Sequence, residues 1–318
     1  MIMLKIDFHI HTKYSPDSTA SLRKMLDAAK KRGLSAIAVT DHDSTEGGLR
    51  TAEPRRDGDP AILPGVEFTV PMGEYGLHII GLFATKTRVV RHYVDAVEQI
   101  REQGGVVVLP HLCREGTGLL YHRKAGNIAD ADVEWLVAAA DYVEGINYKC
   151  RPETTLDALE YLAKNPKPLI AGSDAHIPAE VGLAWAEVDD LVEFRKGRAS
   201  TKACMLLKGL APKLPADVGL QASIRKNWFG ELLIGARQNT VARFSNPYWK
   251  TRLKSTLGIF PLSLAGEPIL QFYRRFSAAA AEGALARRIE RELVGSFTAC
   301  VVISPESVRI EPMEGSYK

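Results

Sequence analysis

Along the first two thirds of the chain, short runs of apolar and β-branched residues alternate with stretches whose apolar positions recur every three to four residues. The strand-like runs are MLKIDFHI, LSAIAVTD, AILPGVEF, GVVVLPH, YVEGINY and PLIAGSD, and between them SLRKMLDAAKKRG, VVRHYVDAVEQIREQGG, ADVEWLVAAAD and TTLDALEYLAKN read as helices. This alternation predicts an α/β protein whose parallel strands are joined by helical crossovers. Several of the helical stretches close on Gly or Asn, residues that stop helices. YGLHIIGLF is an extra strand, predicted to form a hairpin with AILPGVEF. Near residue 210 the stretch GLAPKLPADVG concentrates Gly and Pro and predicts a linker. It divides a domain over 1–210 from a small, mostly helical accessory domain over 211–318. In the latter, 267–293 reads as an amphipathic helix and FTACVVISPESVRIEP as two strands around a Ser-Pro turn.

Composition narrows the class. With 46% hydrophobic and 25% charged residues and no apolar run near the ~20 residues of a membrane span, a soluble globular protein is expected and a membrane-embedded one is not. The N-terminus, MIMLKIDFHIHT, turns polar early and lacks the long apolar stretch of a secretory signal, so a cytoplasmic location is expected. Cysteines at 113, 150, 204 and 300 form no C-x-x-C pair, which predicts buried reduced thiols rather than a disulfide framework or a thiolate zinc site. The net charge of +3 hides an asymmetry: residues 1–210 sum to −3 and residues 211–318 to +6. All 8 histidines lie at or before His176, so imidazole chemistry belongs to the first part alone.

The polar residues that interrupt the strand pattern crowd the ends of the runs, where the loops of a parallel barrel converge on an active site. Asp7, His9 and His11 close the first run, and a period of two sends all three to one face with Phe8 and Ile10 on the other. Thr40, Asp41, His42 and Asp43 leave the buried run AIAV together, and burying such groups without partners is costly. A helix start capped by Asp43 or Ser44 is the competing reading. Glu67 stands inside the apolar PGVEF, where a salt-bridge partner or a pair of cations has to satisfy it. His78 lies in GLHIIGLF, His111 follows VVVLP, and Ser173-Asp174-Ala175-His176 follows PLIAG. Asp17, in YSPDS, offers a further oxygen or serves as a turn residue. Together His9, His11, Asp17, His42, Glu67, His78, His111, Asp174 and His176 fall where one rim would gather them. Nitrogen and oxygen donors without thiolate suit zinc, manganese or iron better than calcium. Nine such ligands with bridging carboxylates suffice for two or three divalent metal ions. His92, read as helical between Arg91 and Tyr93, and His122, read as lying in a loop, are assigned surface roles.

With D-x-H-x-H at 7 to 11, TDHD at 40 to 43, PGVE at 64 to 67, His78, PH at 110 to 111 and SDAH at 173 to 176, the chain resembles the polymerase-and-histidinol-phosphatase (PHP) metal-dependent phosphoesterases. The resemblance covers roughly residues 1 to 210 and does not reach the tail. It implies a distorted (β/α)7 barrel with a trinuclear metal centre at its C-terminal rim and the hydrolysis of phosphate esters. It implies that His9 and His11 bind one metal with Glu67 and Asp174, that Glu67 bridges to a second held by His78 and His111, and that the third takes Asp17, His42 and His176. Pro16 stands where some members carry an acidic ligand, and Asp17 must serve one place later. The large insertion that some nucleotide-cleaving members carry before the PH motif is missing, so their substrate is not carried over.

What the resemblance implies for the chemistry is that such ions would lower the proton affinity of a water for in-line attack on phosphorus and would withdraw charge from the phosphate oxygens. Arg114, three residues after His111, is the first candidate for contacting the phosphate, followed by Lys149 and Arg151 in NYKCR; for each, ordinary loop solvation is the alternative. Asp43 reads as a proton donor to the leaving group or as the orienter of a ligand. In the basic tail, RKNWFG and RFSNPYWKTRLKS interleave cations with aromatics, a pattern that grips nucleic acid but also serves as a solvated face. The expected function is metal-dependent hydrolysis of a phosphate mono- or diester, the expected partner a phosphorylated small molecule. A nuclease acting on nucleic-acid ends, with the tail as its grip, and a non-catalytic metal-stabilised scaffold are the alternatives.

Overall fold

Every strand-like run of the first 210 residues is a strand of one sheet, because each is buried on both faces and its backbone groups have only neighbouring strands to bond. A computed structural model describes residues 3–49, 56–207, 297–304 and 307–312. The strands are β1 (Leu4–Ile10), β2 (Ala36–Val39), β3 (Ala61–Val70), β4 (Leu77–Leu82), β5 (Val106–Leu109), β6 (Tyr142–Asn147), β7 (Leu169–Gly172), β8 (Ala184–Val188), β9 (Thr201–Leu207), β10 (Phe297–Ser304) and β11 (Ser307–Pro312). The helices are α1 (Leu22–Lys31), α2 (Glu46–Leu49), α3 (Tyr93–Glu102), α4 (Leu119–Lys124), α5 (Asp130–Ala139), α6 (Pro152–Lys164) and α7 (Leu191–Arg195).

The sheet order is β11-β10-β9-β8-β1-β2-β3-β4-β5-β6-β7. Two parallel runs, β1-β2-β3 and β5-β6-β7, are separated by β4, which is antiparallel to both neighbours and makes the expected hairpin with β3. The sheet curls until β7 lies against β1, where the His11 amide donates to Ala175 O at 2.8 Å and the Ala175 amide to His9 O at 3.3 Å. The result is the expected α/β, nearly closed barrel. Strands β8 and β9 were not read from the sequence; β8 pairs antiparallel with β1, and β9 antiparallel with β8. In the region 211–318, the described residues are β10 and β11, which form the expected hairpin and extend the sheet from β9. The amphipathic helix expected over 267–293 and both basic-aromatic stretches lie outside the described residues. Among the described residues no helix is long and apolar enough to cross a membrane.

Inside the barrel the side chains separate into a floor and a rim. Ile6, Phe8, Ala36, Ala38, Leu63, Ile80, Val106, Val108, Tyr142, Ile170 and Ala186 meet in one cluster closed by Phe194 of α7, whose ring stacks on Phe8 at 4.8 Å and on Tyr142 at 4.3 Å. Outside, α1 lays Leu22, Met25, Leu26 and Ala29 against Ile37 and Val39 of β2, and Ser21 caps its start by accepting from Lys24 N.

The face assignment expected for β1 needs correcting. Ile6 and Phe8 point to the floor while Ile10 joins the cluster under α1, so the period of two slips by one residue between them. The β1–β2 pairing records that slip as a register shift between Asp7 and Ile10. Asp7 therefore turns away from His9 and His11. It accepts hydrogen bonds from Ser173 N (2.9 Å), Ser173 Oγ (2.5 Å) and Gly182 N (2.8 Å), tying β1 to the segments that follow β7. His92 is not within a helix but caps α3, accepting from Val94 N while Asp95 accepts the His92 amide. His122 is not on a surface loop: it is buried on α4, its ring bridging Gly76 O and the Asn127 amide, both at 3.1 Å. Cys204 is disulfide-bonded rather than reduced, and Cys300 of β10 is its cross-strand neighbour; Cys113 and Cys150 are free.

Candidate metal centre

Directly above the apolar floor, the strand ends deliver imidazoles and carboxylates to one cup. His9 comes from β1, Glu67 from β3 and His78 from β4, while His11, His42, His111, Asp174 and His176 follow the ends of β1, β2, β5 and β7. The loop after β1 brings in Asp17. Four overlapping groups have ligand atoms within 4.8 Å of one another: His9, His11 and Asp174; His9, Glu67 and His111; His11, His42 and Glu67; and His11, Asp17 and His176. Glu67 is the hub. Its Oε1 lies 2.8 Å from His78 Nδ1 and 3.1 Å from His111 Nε2, and its Oε2 lies 3.2 Å from both His9 Nε2 and His11 Nε2 and 3.5 Å from His42 Nδ1. Asp174 Oδ1 faces His11 Nε2 at 3.3 Å and His176 Nδ1 at 3.5 Å. Asp17 Oδ2 faces His176 Nε2 at 2.7 Å and His42 Nε2 at 3.4 Å.

This crowd has more lone pairs than protons to share. His9 Nε2 and His11 Nε2 stand 3.0 Å apart, which two bare nitrogens tolerate only around a shared proton or a cation. His78 Nδ1 is buried beside Glu67 without hydrogen-bond geometry. Nitrogen and oxygen donors converging in this way fit divalent transition-metal ions. Without them the charges polarise one another. Burial alone would raise the carboxylates, yet the surrounding imidazoles hold Glu67, Asp174 and Asp17 well below the usual carboxylate range. Burial opposes charge on His42, but Glu67 and Asp17 carry it up to about 10; His9 and His11 are raised in the same way. For His78 burial wins and the value falls to about 4.

Around the cup, other groups fix which nitrogen faces inward. Ser15 Oγ donates to Asp17 Oδ1 at 2.6 Å and accepts from the His42 amide and His11 Nδ1, both at 3.2 Å, leaving His11 Nε2 free. His9 Nδ1 lies 3.0 Å from Glu144 Oε1. Asp43 Oδ1 accepts from Thr69 N at 3.0 Å, and Thr69 Oγ1 lies 3.4 Å from His42 Nδ1. Asp41 accepts from both the amide and the hydroxyl of Thr12, where a Cβ on Gly47 would come within 2.0 Å of its Oδ2. Among the described residues four non-glycines have positive φ, and three of them, Asp43 (52°), His111 (29°) and Asp174 (54°), follow strand ends at this cup. Strain of this kind concentrates where the surrounding structure holds side chains at a site.

The expected cationic residues divide. Arg114 is about one third exposed and places Nη1 2.5 Å from Asp174 Oδ2, at the mouth of the cup. Lys149 turns inward: its Nζ lies 2.7 Å from His176 Nδ1 and 3.3 Å from Glu180 Oε2. Arg151 points outward, 59% exposed, with Glu115 Oε2 at 3.9 Å. Sequence reasoning missed Glu144, Asn147, Ser15 and Glu180. Glu144 carried the same signal as Glu67, a lone carboxylate in the apolar strand YVEGIN, while nothing marks Ser15 until the loop is folded.

The PHP domain family model matches residues 7–208. An uncharacterized protein of Methanocaldococcus jannaschii is 35% identical over 120 residues, 34% of this chain and 67% of that one. A 3',5'-nucleoside bisphosphate phosphatase of Chromobacterium violaceum is 40% identical over 82 residues, 25% of this chain and 28% of that one. Among solved structures, a two-domain protein of Bacteroides vulgatus containing a predicted PHP-like metal-dependent phosphoesterase is similar with a TM-score of 0.47 and 18% identity over 64% of each chain. The chain thus spans less than two thirds of the length of the last two proteins.

Proposed function

The chain belongs to the PHP domain family, and from that premise we propose that it is a metal-dependent phosphoesterase, hydrolysing a phosphate ester in the cup above the barrel floor. The observation that carries this reading is the convergence of six imidazoles and three carboxylates in one cup, in overlapping groups centred on Glu67. In this reading His9, His11, Glu67 and Asp174 would hold one cation, Glu67 with His78 and His111 a second, and Asp17, His42 and His176 a third. Zinc, manganese and iron are the candidates by donor type. Bound there, such ions lower the proton affinity of a water and withdraw charge from phosphate oxygens.

The chain's own residues supply the rest. Glu67 sets the negative charge at the centre, and Asp174 and Asp17 anchor its flanks. Arg114, partly exposed beside Asp174, binds a phosphate oxygen while holding that ligand in place, and Arg151 adds a second cation at the outer rim. Lys149 acts through His176. Asp43 orients His42 by way of Thr69 rather than reaching the leaving group. The floor of Phe8, Tyr142 and Phe194 keeps bulk water from entering behind the ligands.

A phosphorylated small molecule is the proposed substrate, and the phosphatase from Chromobacterium violaceum supports a nucleotide-like phosphate ester as the first class to try. The test is metal analysis of the purified chain together with turnover of aryl phosphate mono- and diesters, phosphorylated metabolites and short oligonucleotides in the presence of Mn²⁺. Turnover of small esters supports the reading. Cleavage of oligonucleotides alone replaces it with the nuclease, and no hydrolysis with any divalent metal replaces it with a scaffold.

A further inference from the structure

Glu144 stands behind the cup, buried in β6, with no oxygen facing the point where the ligands converge. Its Oε1 lies 3.0 Å from His9 Nδ1. Its Oε2 accepts the His111 amide and Asn147 Nδ2, both at 3.0 Å. The Asn147 amide is not free to turn, because its Oδ1 accepts from Lys149 N at 3.0 Å, so Nδ2 is the end that faces Glu144. Every neighbour of Glu144 named here is thus a donor, and a carboxylate that only accepts requires the proton of His9 to sit on Nδ1. In the neutral ring Nε2 is then the bare nitrogen, and it is the one that faces His11, Glu67 and Asp174.

Two further features single out this contact. The β6–β7 register shifts between Glu144 and Ile146, which lets Glu144 and Asn147, three residues apart, both turn to the barrel interior while Ile146 packs outside. On the neighbouring strand, a Cβ at Gly172 would come within 2.3 Å of His9 Cβ and 2.7 Å of Glu144 Oε1. The bulge brings the carboxylate in, and the missing side chain leaves it room.

We infer that Glu144 is a positioning residue that sets the affinity of the cation site formed by His9, His11, Glu67 and Asp174, by locking His9 in the Nδ1–H tautomer, while its other oxygen holds the His111 backbone. This rests on the metal-centre reading above. The site of Asp17, His42 and His176 has its own orienter in Ser15, which donates to Asp17 and accepts from the His42 amide, and does not depend on Glu144.

The discriminating variant is Glu144→Gln, which keeps the volume but cannot accept on both sides. With its oxygen toward His9, its NH₂ meets the His111 amide donor to donor; turned the other way, its NH₂ forces His9 into the tautomer that buries the ligand lone pair. Calorimetric titration of the chelator-stripped full chain with Mn²⁺, with metal content measured by mass spectrometry, reads each class of site. The expected result is an affinity lower by about 10- to 100-fold for one class, with the remaining class and the circular dichroism of the wild type retained. Unchanged affinity at every class overturns the inference, and so does an equal loss at all of them, which would mean that Glu144 only supports the fold. Should Glu144→Gln fail to fold, the ¹⁵N shifts of the wild-type His9 ring, assigned with His9→Gln, decide: an Nδ1–H ring in the cation-loaded protein upholds the inference, and an Nε2–H ring overturns it. A wild-type chain that binds no divalent cation refutes the metal-centre reading itself, and this inference falls with it.

Discussion

Cations and protons compete for the same nitrogens in this cup, and His42 shows by how much. Its ring, 15% exposed, has Nε2 3.4 Å from Asp17 and Nδ1 3.5 Å from Glu67. Burial works against its charge, but the two carboxylates hold its pKa up at about 10. At pH 7 a cation has to displace a proton held about three units too tightly, which at ~1.4 kcal/mol per unit is about 4 kcal/mol, or roughly a thousandfold in apparent affinity. His9 and His11 are raised as well. Affinity should therefore climb at least tenfold per pH unit between about pH 6 and about pH 8, with at least one proton released per chain. Titration calorimetry of the stripped protein in two buffers of unlike ionisation enthalpy measures both quantities. A flat affinity and a heat independent of buffer would refute the reasoning, because they would mean that the imidazoles are already bare.

The imidazole contribution to the stability of the cation-free chain runs in the opposite sense. The folded value of His42 lies above its unfolded value of ~6.5, so its contribution is complete below that pH and disappears as the pH rises through about 10. Glu67, Asp17 and Asp174 have depressed values, so theirs is present above the ordinary carboxylate range and is lost as the pH falls through the folded values. The gap in melting temperature between loaded and stripped protein should widen from about pH 6.5 upward.

Glu67→Gln removes the charge that five imidazole nitrogens face and should cost about 3–5 kcal/mol of cation affinity. Metal content after gel filtration checks this, and full retention would show that Glu67 is not the hub. Arg114→Ala should raise KM for a small phosphate ester about tenfold, with Arg114→Lys recovering only part because an ammonium cannot make the guanidinium's fork; an unchanged KM removes Arg114 from the substrate site. Gly47→Ala drives a methyl into Asp41 and Thr12 and should destabilise by about 1–3 kcal/mol in urea denaturation, and an unshifted midpoint would mean that the loop after β2 yields freely.

Strands were legible because burial on both faces leaves a near-continuous apolar run, as in AIAV of β2 and VVVL of β5. The hairpin of β3 and β4 was legible for the same reason. Strands β8 and β9 were not, since AWAEV and TKACMLL each carry a charge and stand side by side with no long helical stretch between them to continue the strand–helix alternation. The candidate ligands could be picked out because titratable side chains at the ends of apolar strands have no cheap structural explanation. What surrounds them could not. Ser15 and Asn147 are ordinary loop and strand-end residues in one dimension, and their roles come from hydrogen bonds that close only when β1, β2, β6 and β7 meet. Asp7 misled for the complementary reason: it shares the motif with His9 and His11, and only the slip in β1 reveals that it holds the scaffold instead.

That slip and the one in β6 have the same consequence. A regular strand entering this barrel would alternate between interior and exterior throughout, so a rim group two residues beyond a floor group would leave the intervening residue outside. In β1, Ile6 and Phe8 fill the floor, and after the slip His9 and His11 face the cup while Ile10 packs outside under α1. In β6, Tyr142 fills the floor with Glu144 above it, and after the slip Asn147 also turns inward while Ile146 packs outside. Each register shift lets one strand change from apolar plug to polar rim within a few residues without exposing an isoleucine or burying an unpartnered charge outside the barrel. The two shifted strands are the ones joined by the His9–Glu144 contact. Restoring strict alternation in either, by deleting one residue at the shift, should therefore separate that pair and empty the same class of cation site, whereas a deletion in a solvent-exposed loop should not.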